Sequence, residues 1–435
     1  MQIPESLSRA FLGEFEALIG EFAREKGFVE NASDIRSSRF ISRSIVPHVK
    51  KLSALFNRVT EAQLRRPDAP PGEATSPHDG SPSGSALPAY WGKSSNAANL
   101  RLAYFLYFMP ANACRVAAVF AELARLGFRW PTSFGDTPLR GIEFGAGPAT
   151  GACGVAMARK FGGIDLPGAG DWALIEQDKP MLSLGEDWAK RLMAWADVPE
   201  WGIRPYPRRI DLERGFLPRN APRFHLWLMS YFLNELAEPT EVVAKRLLEA
   251  WERHLEDEGL VVLVEPALKE ESRKLLEIRR ALIDQTRKQR LDWFQILLPC
   301  LGSQACGALA AEGDWCHEEV SWWRPEYSRE IDKQAGLDRK TLPFSYLVIA
   351  KSKRPLAAWL PHLRGDANRR YRLVSPAHRE GKRHWDFYLC GQSGKFKSRM
   401  EDSRSEIPIG RGSILNDLDA APGQTLKDAL KNYSS

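Results

Sequence analysis

The central part of this 435-residue chain alternates short apolar runs with amphipathic helical segments, and this alternation constrains the fold most. Strands separated by helices of ordinary length predict a parallel sheet covered on both faces. Such sheets bind ligands at the carboxyl ends of their strands, where Glu143, Glu176, Ser230 and Glu265 lie. The predicted strands are Leu139–Phe144, Trp172–Glu176, Phe224–Ser230 and Leu260–Glu265, and the predicted helices are Gly151–Phe161, Pro180–Trp195 and Pro239–Leu255.

The segment EFGAGPATG, Glu143 to Gly151, joins the first predicted strand to a helix. In a strand, glycine turn and helix, backbone N–H groups and a helix N-terminus meet a nucleotide-like ligand. A carboxylate just before Gly145 and Gly147 can pair with a cationic ligand, which favours S-adenosylmethionine (SAM) over a dinucleotide. We therefore predict that these three residues hold the methionine end of SAM.

Three further residues are candidates for the same ligand. Glu176 ends the second strand in LIEQD, where a carboxylate can accept hydrogen bonds from a ribose diol. Asp211, in RRIDL, is a candidate for the adenine amine, and Ser230 lies at the end of the strand before MSYFLNEL. The alternative for Glu176 is a solvated acid at a strand end.

The loop that follows Ser230 carries no recognisable methyl-transfer motif. Amino-methylating enzymes use a compact polar and aromatic motif such as Asn-Pro-Pro-Tyr here, whereas this chain has Tyr231, Asn234 and Glu235. Tyr231 is a candidate for stacking a base, and Asn234-Glu235 is predicted to cap the next helix. Neither this loop nor VEPAL contains a cysteine, which argues against cytosine-C5 chemistry through a thiol nucleophile. The catalytic residues are therefore unknown.

The flanking regions differ in character. Residues 1–65 are predicted to be helical, since Phe11, Phe15, Leu18 and Phe22 recur at helical spacing. Residues 66–95 are rich in Pro, Gly and Ser and predict a flexible linker. Residues 99–126 predict an apolar helical pair broken at Pro110, and residues 344–352 a late strand.

No apolar run approaches the roughly 20 residues of a membrane helix. The first residues include Glu5 and Glu14 and lack the basic start of a targeting peptide. We therefore expect a cytoplasmic, monomeric protein with no membrane partner, whose six cysteines are reduced or bound to metal.

Four cysteines form a second group of candidates. Cys300, Cys306 and Cys316 lie within seventeen residues of an irregular segment, 297–319, while Cys114 and Cys153 lie in apolar stretches and are predicted to be inert core residues. Thiolates in an irregular loop suit zinc or an iron–sulfur cluster. The spacing matches neither a zinc ribbon nor a radical-SAM motif. A fourth ligand is required, and His317 or Cys390 could supply it.

Positive charge is concentrated in the C-terminal part. The whole chain carries +6, but residues 361–400 alone hold ten Lys or Arg against three acids, and residues 271–290 hold seven against three. The basic residues interleave with aromatic ones on short predicted strands, which suits RNA phosphates and unstacked bases. The alternative is a solvated basic edge. The interleaved residues are Tyr371, His384, Trp385, Phe387, Tyr388 and Phe396.

The chain resembles a known family in the order of its motifs. EFGAGPATG, LIEQD, SYFLNEL, VLVEPA, the run PC…C…GDWCH and FSYLVIAKS are similar to those of the methyltransferase-like family of mitochondrial small-ribosomal-subunit assembly factors and its bacterial relatives. The resemblance covers about residues 98 to 397. Family members typically have Cys-Pro where this chain has Cys306-Gly307, and often glycine at Ala149.

The resemblance implies an α/β fold with a Rossmann-like class I SAM methyltransferase core. It also implies a [4Fe–4S] cluster on Cys300, Cys306, Cys316 and Cys390, and binding to the small ribosomal subunit and its rRNA during assembly. The expected domains are a helical region (1–65), the linker (66–95), the core with the cysteine segment 297–319 (96–353), and a basic antiparallel β element with its tail (354–435). The alternatives are an active SAM-dependent rRNA methyltransferase and a non-catalytic assembly protein with a vestigial SAM pocket.

Overall fold

The computed structural model of this protein describes residues 5–56, 96–131, 134, 137–160, 164–165, 169–322, 324–402, 407, 409–418, 420 and 425–426. The predicted linker at 66–95 lies outside these residues. The described chain forms two compact units, one made of 112–321 and 341–435, the other of 3–111 and 322–340. Residues 322–340 therefore belong to the unit of the N-terminal helices.

The N-terminal unit is helical, as its apolar spacing predicts. Phe15 and Phe22 are buried, and Leu18 is partly buried. The buried Glu16 accepts hydrogen bonds from the backbone N–H groups of Glu326 and Tyr327, which begin a helix far along the chain. The helices of this unit are Glu5–Glu25, Ala32–Arg36 (3₁₀), Ser38–Phe40, Ile41–Ile45 (π), Val46–Phe56 and Glu326–Ala335.

The apolar segment before the first strand is one continuous helix, Ala97–Arg125, and the predicted break at Pro110 is wrong. A π-helical turn at Tyr104–Phe108 lets the Met109 N–H donate to the carbonyl of Tyr104, and such turns accommodate a proline within a helix. By length and composition this helix is able to cross a membrane, contrary to the sequence expectation. However, 94% of its apolar window is buried inside the structure, as in the core helix of a folded domain.

The larger unit is built on an eight-stranded sheet in the order β3-β2-β1-β4-β5-β8-β6, with β7 paired to β8. The first five strands in that order are parallel, and β8 runs antiparallel to β5, β6 and β7. This is a Rossmann-like order, in which the order of strands across the sheet reverses between β1 and β4. The strands are β1 Leu139–Phe144, β2 Ala169–Glu176, β3 Glu200–Pro207, β4 Phe224–Ser230, β5 Leu255–Pro266, β6 Phe294–Leu298, β7 Glu318–Ser321 and β8 Thr341–Lys351.

Four helices of this unit follow the predicted pattern. Val243, Leu247 and Trp251 form one fully buried row against the sheet. The fourth helix carries many basic residues and is called the basic helix below. The helices are Thr150–Lys160, Lys179–Trp195, Thr240–His254 and the basic helix Lys269–Gln289, with a short helix at Leu356–Trp359.

Strand β3 was not predicted from the sequence. It is an edge strand whose residues are mostly exposed and which contains two prolines, so it lacks the apolar run of a buried strand. Strand β6 was also missed, because its apolar residues continue directly into the cysteine segment.

A second sheet follows, as the alternating C-terminal pattern predicts. Its order is β13-β9-β11-β12-β14, with β10 paired to β11. All pairs are antiparallel except β12 with β14. The strands are β9 Tyr371–Leu373, β10 His378–Glu380, β11 His384–Gly391, β12 Gly394–Glu401, β13 Ile414–Leu415 and β14 Thr425–Leu426.

Candidate functional sites

The glycine turn lies where the sequence places it, between β1 and the helix Thr150–Lys160. Gly145 has φ +62° and Gly147 φ +52°, a left-handed conformation that favours glycine. A side chain at Gly145 would also meet the ring of Phe232 at 2.8 Å. Ala149 adopts φ +59° despite its Cβ, which explains why family members often have glycine there.

The carboxylate of Glu143 lies inside the protein. It is 1% exposed and accepts hydrogen bonds from the N–H groups of Gly151 (2.5 Å) and Ala152 (3.0 Å) and from the indole of Trp172 (3.3 Å). Burial raises the pKa of Glu143 to about 7. The residue thus holds the first turn of the helix, and its predicted contact with a ligand stays a prediction.

The carboxylate of Glu176 fixes the turn from the neighbouring strand. It accepts hydrogen bonds from the N–H groups of Gly147 (3.0 Å) and Asp178 (2.9 Å), and burial raises its pKa. Glu176 is only partly buried, and each carboxylate oxygen has a second lone pair. It retains the capacity to accept a further hydrogen bond from a ligand.

A third carboxylate, Glu265 at the end of β5, organises the loop that follows β4. It is 1% exposed and accepts hydrogen bonds from three successive N–H groups, those of Phe232, Leu233 and Asn234. Burial raises the pKa of Glu265 to about 8.

The predicted capping role of Asn234-Glu235 is wrong. The next helix begins at Thr240 with Pro239 as its N-cap, and residues Leu233–Glu235 form a separate 3₁₀ turn held by Glu265. In the same loop Tyr231 has φ +58°, which is strained for an aromatic residue. The Arg115 guanidinium lies 5.7 Å from the centre of the Tyr231 ring.

The two remaining ligand candidates differ in exposure. Asp211 follows β3, but its side chain is 48% exposed and pairs with Arg214 at 3.5 Å. Ser230 is 6% exposed, and its hydroxyl has no hydrogen-bond partner in the described structure. The same holds for the hydroxyl of Thr150, the first residue of the helix after the turn. Buried hydroxyls without partners are uncommon and often mark a ligand or water position.

The four cysteines of the second candidate site line one cavity, although Cys390 lies far along the chain from the other three. The cavity measures about 40 Å³, against the roughly 10–15 Å³ that one water needs. Its walls come from the cysteine segment, the basic helix, β8 and the second sheet. His317, the alternative fourth ligand, also lines it. Cys114 and Cys153 are buried elsewhere, as predicted.

Arginines of the basic helix hold the cysteine segment in place. Arg279 is 2% exposed and donates to the carbonyls of Gly302 (3.0 Å) and Gln304 (2.9 Å). Arg273 donates to the carbonyls of Ala311 and Asp314, and Arg287 to that of Ser303. Part of the charge that suggested an RNA-binding helix is therefore used inside the protein.

The second sheet closes the cavity at Cys390 and Lys395, which are cross-strand partners. Lys395 also forms an ion pair with Asp314 of the cysteine segment (2.5 Å). A side chain at Gly307 would meet the backbone nitrogen of Lys395 at 2.5 Å. The sheet thus approaches the segment so closely that a side chain at residue 307 would clash with it.

The wall of the cavity combines thiols with two cationic side chains. Burial raises the pKa of the Cys300 and Cys316 thiols. It also raises the pKa of the Cys390 thiol, to about 12. Arg279 and Lys395 both line the cavity, and the Nε atom of Arg279 has no hydrogen-bond partner in the described structure. Within the described residues, however, no three His, Cys, Asp or Glu side chains stand close enough together to hold a single metal ion.

The aromatic residues of the second sheet are mostly core residues. Tyr371, Trp385, Phe387 and Phe396 are buried together between its strands, so they are not available to stack bases. Tyr388 is 43% exposed. The alternation of charge and aromatic character therefore arises from the two faces of a sheet, one buried and one open.

A family model described as "Mitochondrial small ribosomal subunit Rsm22" matches residues 98–412. The chain belongs to this family. The predicted resemblance is confirmed over the core, the cysteine segment and the second sheet up to residue 412. A comparison with curated proteins found no significant match.

Several solved methyltransferase structures are similar to this chain at low scores. One is an O-methyltransferase from Bacillus cereus in complex with SAH, with 9% identity, 58% of this chain and 88% of that chain covered, and a TM-score of 0.30. A second is the N-terminal domain of human METTL16 in complex with SAH, with 13% identity, 59% of this chain and 71% of that chain covered, and a TM-score of 0.27. A third is the O-methyltransferase TomG from Streptomyces achromogenes in complex with SAM, with 12% identity, 54% and 79% covered, and a TM-score of 0.27. The Rossmann-like fold is shown by the strand order of the large sheet, not by these similarities.

Proposed function

We propose that this Rsm22-family chain is a SAM-binding, methyltransferase-like factor that carries a [4Fe–4S] cluster and binds small-subunit rRNA during assembly of the small ribosomal subunit. The observation that carries the proposal is the convergence of Cys300, Cys306, Cys316 and Cys390 on one cavity of a Rossmann-like protein. The role in assembly is supported by the family.

The glycine turn is the SAM site in this proposal. Glu176 accepts from the ribose hydroxyls, while Gly145 and Gly147 let the backbone approach the methionine end. Glu143 acts indirectly, because its oxygens already hold the helix N-terminus. The partnerless hydroxyls of Ser230 and Thr150 support a bound polar ligand at this end of the sheet. Asp211 remains a candidate for the adenine.

The cysteine cavity fits an iron–sulfur cluster by the chemistry of its wall. A [4Fe–4S] cluster takes one thiolate per iron, so its ligands surround a cavity, whereas the sulfurs of a zinc site lie only about 4 Å apart. The cluster with its thiolates is anionic, and the cationic side chains of Arg279 and Lys395, which line the cavity, would balance its charge. It would serve as a structural link between the core and the second sheet.

Metal analysis after anaerobic purification tests the cluster. We expect about four iron and four sulfide per chain, whereas about one zinc per chain would establish the zinc alternative. Equilibrium binding of labelled small-subunit rRNA tests the partner, and an absence of binding by the cluster-loaded chain would overturn that part.

Calorimetric titration with SAM separates the remaining alternatives. Binding without methyl transfer to small-subunit rRNA supports the proposal. Transfer of labelled methyl, lost in Gly145→Ala, would establish an active rRNA methyltransferase. No heat of binding would establish a vestigial pocket. An active enzyme has some support in Tyr231, whose strained backbone lies in the loop where methyltransferases carry their motif.

A further inference from the structure

Two residues with exposed aromatic side chains, Trp315 and Tyr388, contact the same ion pair beside the cysteine cavity. Trp315 is 36% and Tyr388 43% exposed. The Asp314 carboxylate accepts a hydrogen bond from the Trp315 N–H (2.9 Å) and binds Lys395, whose ammonium lies 5.4 Å from the centre of the Tyr388 ring. A continuous set of contacts therefore links the Trp315 backbone, the ion pair and the Tyr388 ring.

The Trp315 ring and the Tyr388 backbone are both held by neighbouring residues. The Trp315 ring stacks on His317 at 6.1 Å with an interplanar angle of 20°. Tyr388 lies in the middle of β11, where its N–H donates to the Ser375 hydroxyl (2.9 Å). Fixed aromatic faces lose little conformational freedom when a flat ligand stacks on them.

The surroundings carry positive charge. Lys397, the cross-strand partner of Tyr388, is 59% exposed, and Arg399 is 45% exposed on the same face of β12. Both cations share the single carboxylate of Asp386, which leaves this group of three with a net positive charge. Arg379, Lys382 and Arg383 are exposed on the adjoining hairpin.

We propose that Trp315 and Tyr388 form a base-stacking pair for single-stranded RNA, with Lys397 and Arg399 contacting its phosphates. Aromatic faces beside a cationic strand bind unpaired bases without regard to sequence. A duplex hides its base faces and would not use the pair. This inference rests on the proposed function and names the surface through which it acts.

The test measures binding of a fluorescent single-stranded RNA of mixed sequence to the cluster-loaded full chain by anisotropy. Trp315→Ala and Tyr388→Ala are each expected to weaken binding roughly tenfold, without changing the dependence on salt. Lys397→Ala should instead reduce the salt slope. Tyr206→Ala is the matched control, because Tyr206 is an equally exposed aromatic (47%) on edge strand β3 of the other sheet.

Iron content is measured for each variant, since Trp315 adjoins Cys316. If Trp315→Ala loses iron, the stacking pair is tested with Trp315→Phe and Tyr388→Ala. Trp315→Phe should bind the single-stranded RNA like wild type, and Tyr388→Ala should bind it more weakly. A wild-type chain that binds no RNA overturns the proposed function. A wild-type chain that binds, with Tyr388→Ala equal to Tyr206→Ala, overturns the stacking pair alone.

Discussion

The carboxyl ends of the parallel strands and the cysteine cavity are both predicted from the sequence as ligand sites. The two regions differ in how far their polar groups are hydrogen-bonded within the protein. At the strand ends Glu143, Glu176 and Glu265 accept hydrogen bonds from backbone N–H groups of the adjoining loops. In the cavity the thiols are free and only partly buried, and the Nε–H group of the buried Arg279 has no hydrogen-bond partner within the described residues. Acids at strand ends can hold backbone loops, whereas unpaired polar groups around a cavity support the cluster site proposed there.

The largest expected effect comes from removing Cys390, the proposed cluster ligand on the second sheet. Cys390→Ala should lose the iron and the visible absorbance of the chain and make residues 361–400 more sensitive to protease, because the second sheet loses its link to the core. Cys114→Ala is the control, since Cys114 is buried in a helix away from the cavity. Equal iron content in both variants would contradict the cluster.

Next in size is the loss of Glu143. Glu143→Ala leaves three buried N–H groups without an acceptor, each at about 1–3 kcal/mol, so the free energy of unfolding should fall by about 3 kcal/mol or more. Glu176→Ala removes two hydrogen bonds of a less buried residue and should cost less. Denaturant unfolding measures both costs.

For SAM affinity, the order of the Glu143→Ala and Glu176→Ala variants should be the reverse of their order in stability. By calorimetry Glu176→Ala should reduce SAM affinity more than Glu143→Ala does, relative to its cost in stability. If Glu143→Ala abolishes SAM binding without destabilising the protein, then Glu143 contacts the ligand and the distinction between scaffold and ligand residue at this turn fails.

A smaller effect tests the contact between the cysteine segment and the second sheet. Gly307→Ala places a Cβ 2.5 Å from the Lys395 backbone nitrogen, and such overpacking typically costs about 1–3 kcal/mol. Iron content should fall with it. Gly313→Ala, in the same segment, meets nothing within 4 Å and should be neutral. Thermal unfolding of the two variants, if indistinguishable, would show that the sheet can move away from the segment.

The smallest effect concerns pH. Burial raises the pKa of Glu265 to about 8, so the folded protein binds more protons than the unfolded chain between its ordinary pKa of 4.5 and about 8. Stability should therefore fall as pH rises through this range, by at most about 1.4 kcal/mol per pH unit for one group. His317, whose pKa burial lowers to about 4, has the opposite effect, but only below its ordinary value of 6.5.

Unfolding is therefore compared between pH 6.5 and 8 without SAM. Glu265→Gln should flatten the decline, while Glu200→Gln, an exposed carboxylate on β3, should leave it unchanged. A slope that is the same in Glu265→Gln and wild type would mean that the loop after β4 is held by an ionised carboxylate.

The sequence predicts the strands and helices of the core well, because buried parallel strands and amphipathic helices have distinct apolar spacing. It also predicts the cysteines that meet in the cavity, through the family resemblance; spacing alone left Cys390 and His317 as alternatives. The paired packing of β11 against β9 and β12 is a long-range contact that no local pattern contains.

Other features depended on tertiary contacts that compete with local preference. Asn234 suits a helix cap, but the Glu265 carboxylate from another strand holds its backbone instead. Pro110 suits a break, but a π-helical turn absorbs it. Trp385 and Phe387 lie among basic residues in the sequence and yet belong to a core, because strand alternation places neighbours on opposite faces.

The placement of Cys390 has a consequence for the order in which the protein matures. Cys316 precedes it by 74 residues, and β11 lies between β9 and β12, so its pairing requires the chain to have been made as far as β12. A nascent chain that has not yet reached that strand presents at most three thiols in an open pocket. In our proposal the metal centre is therefore completed only after synthesis has passed β12, and a loaded centre requires that the second sheet has already paired.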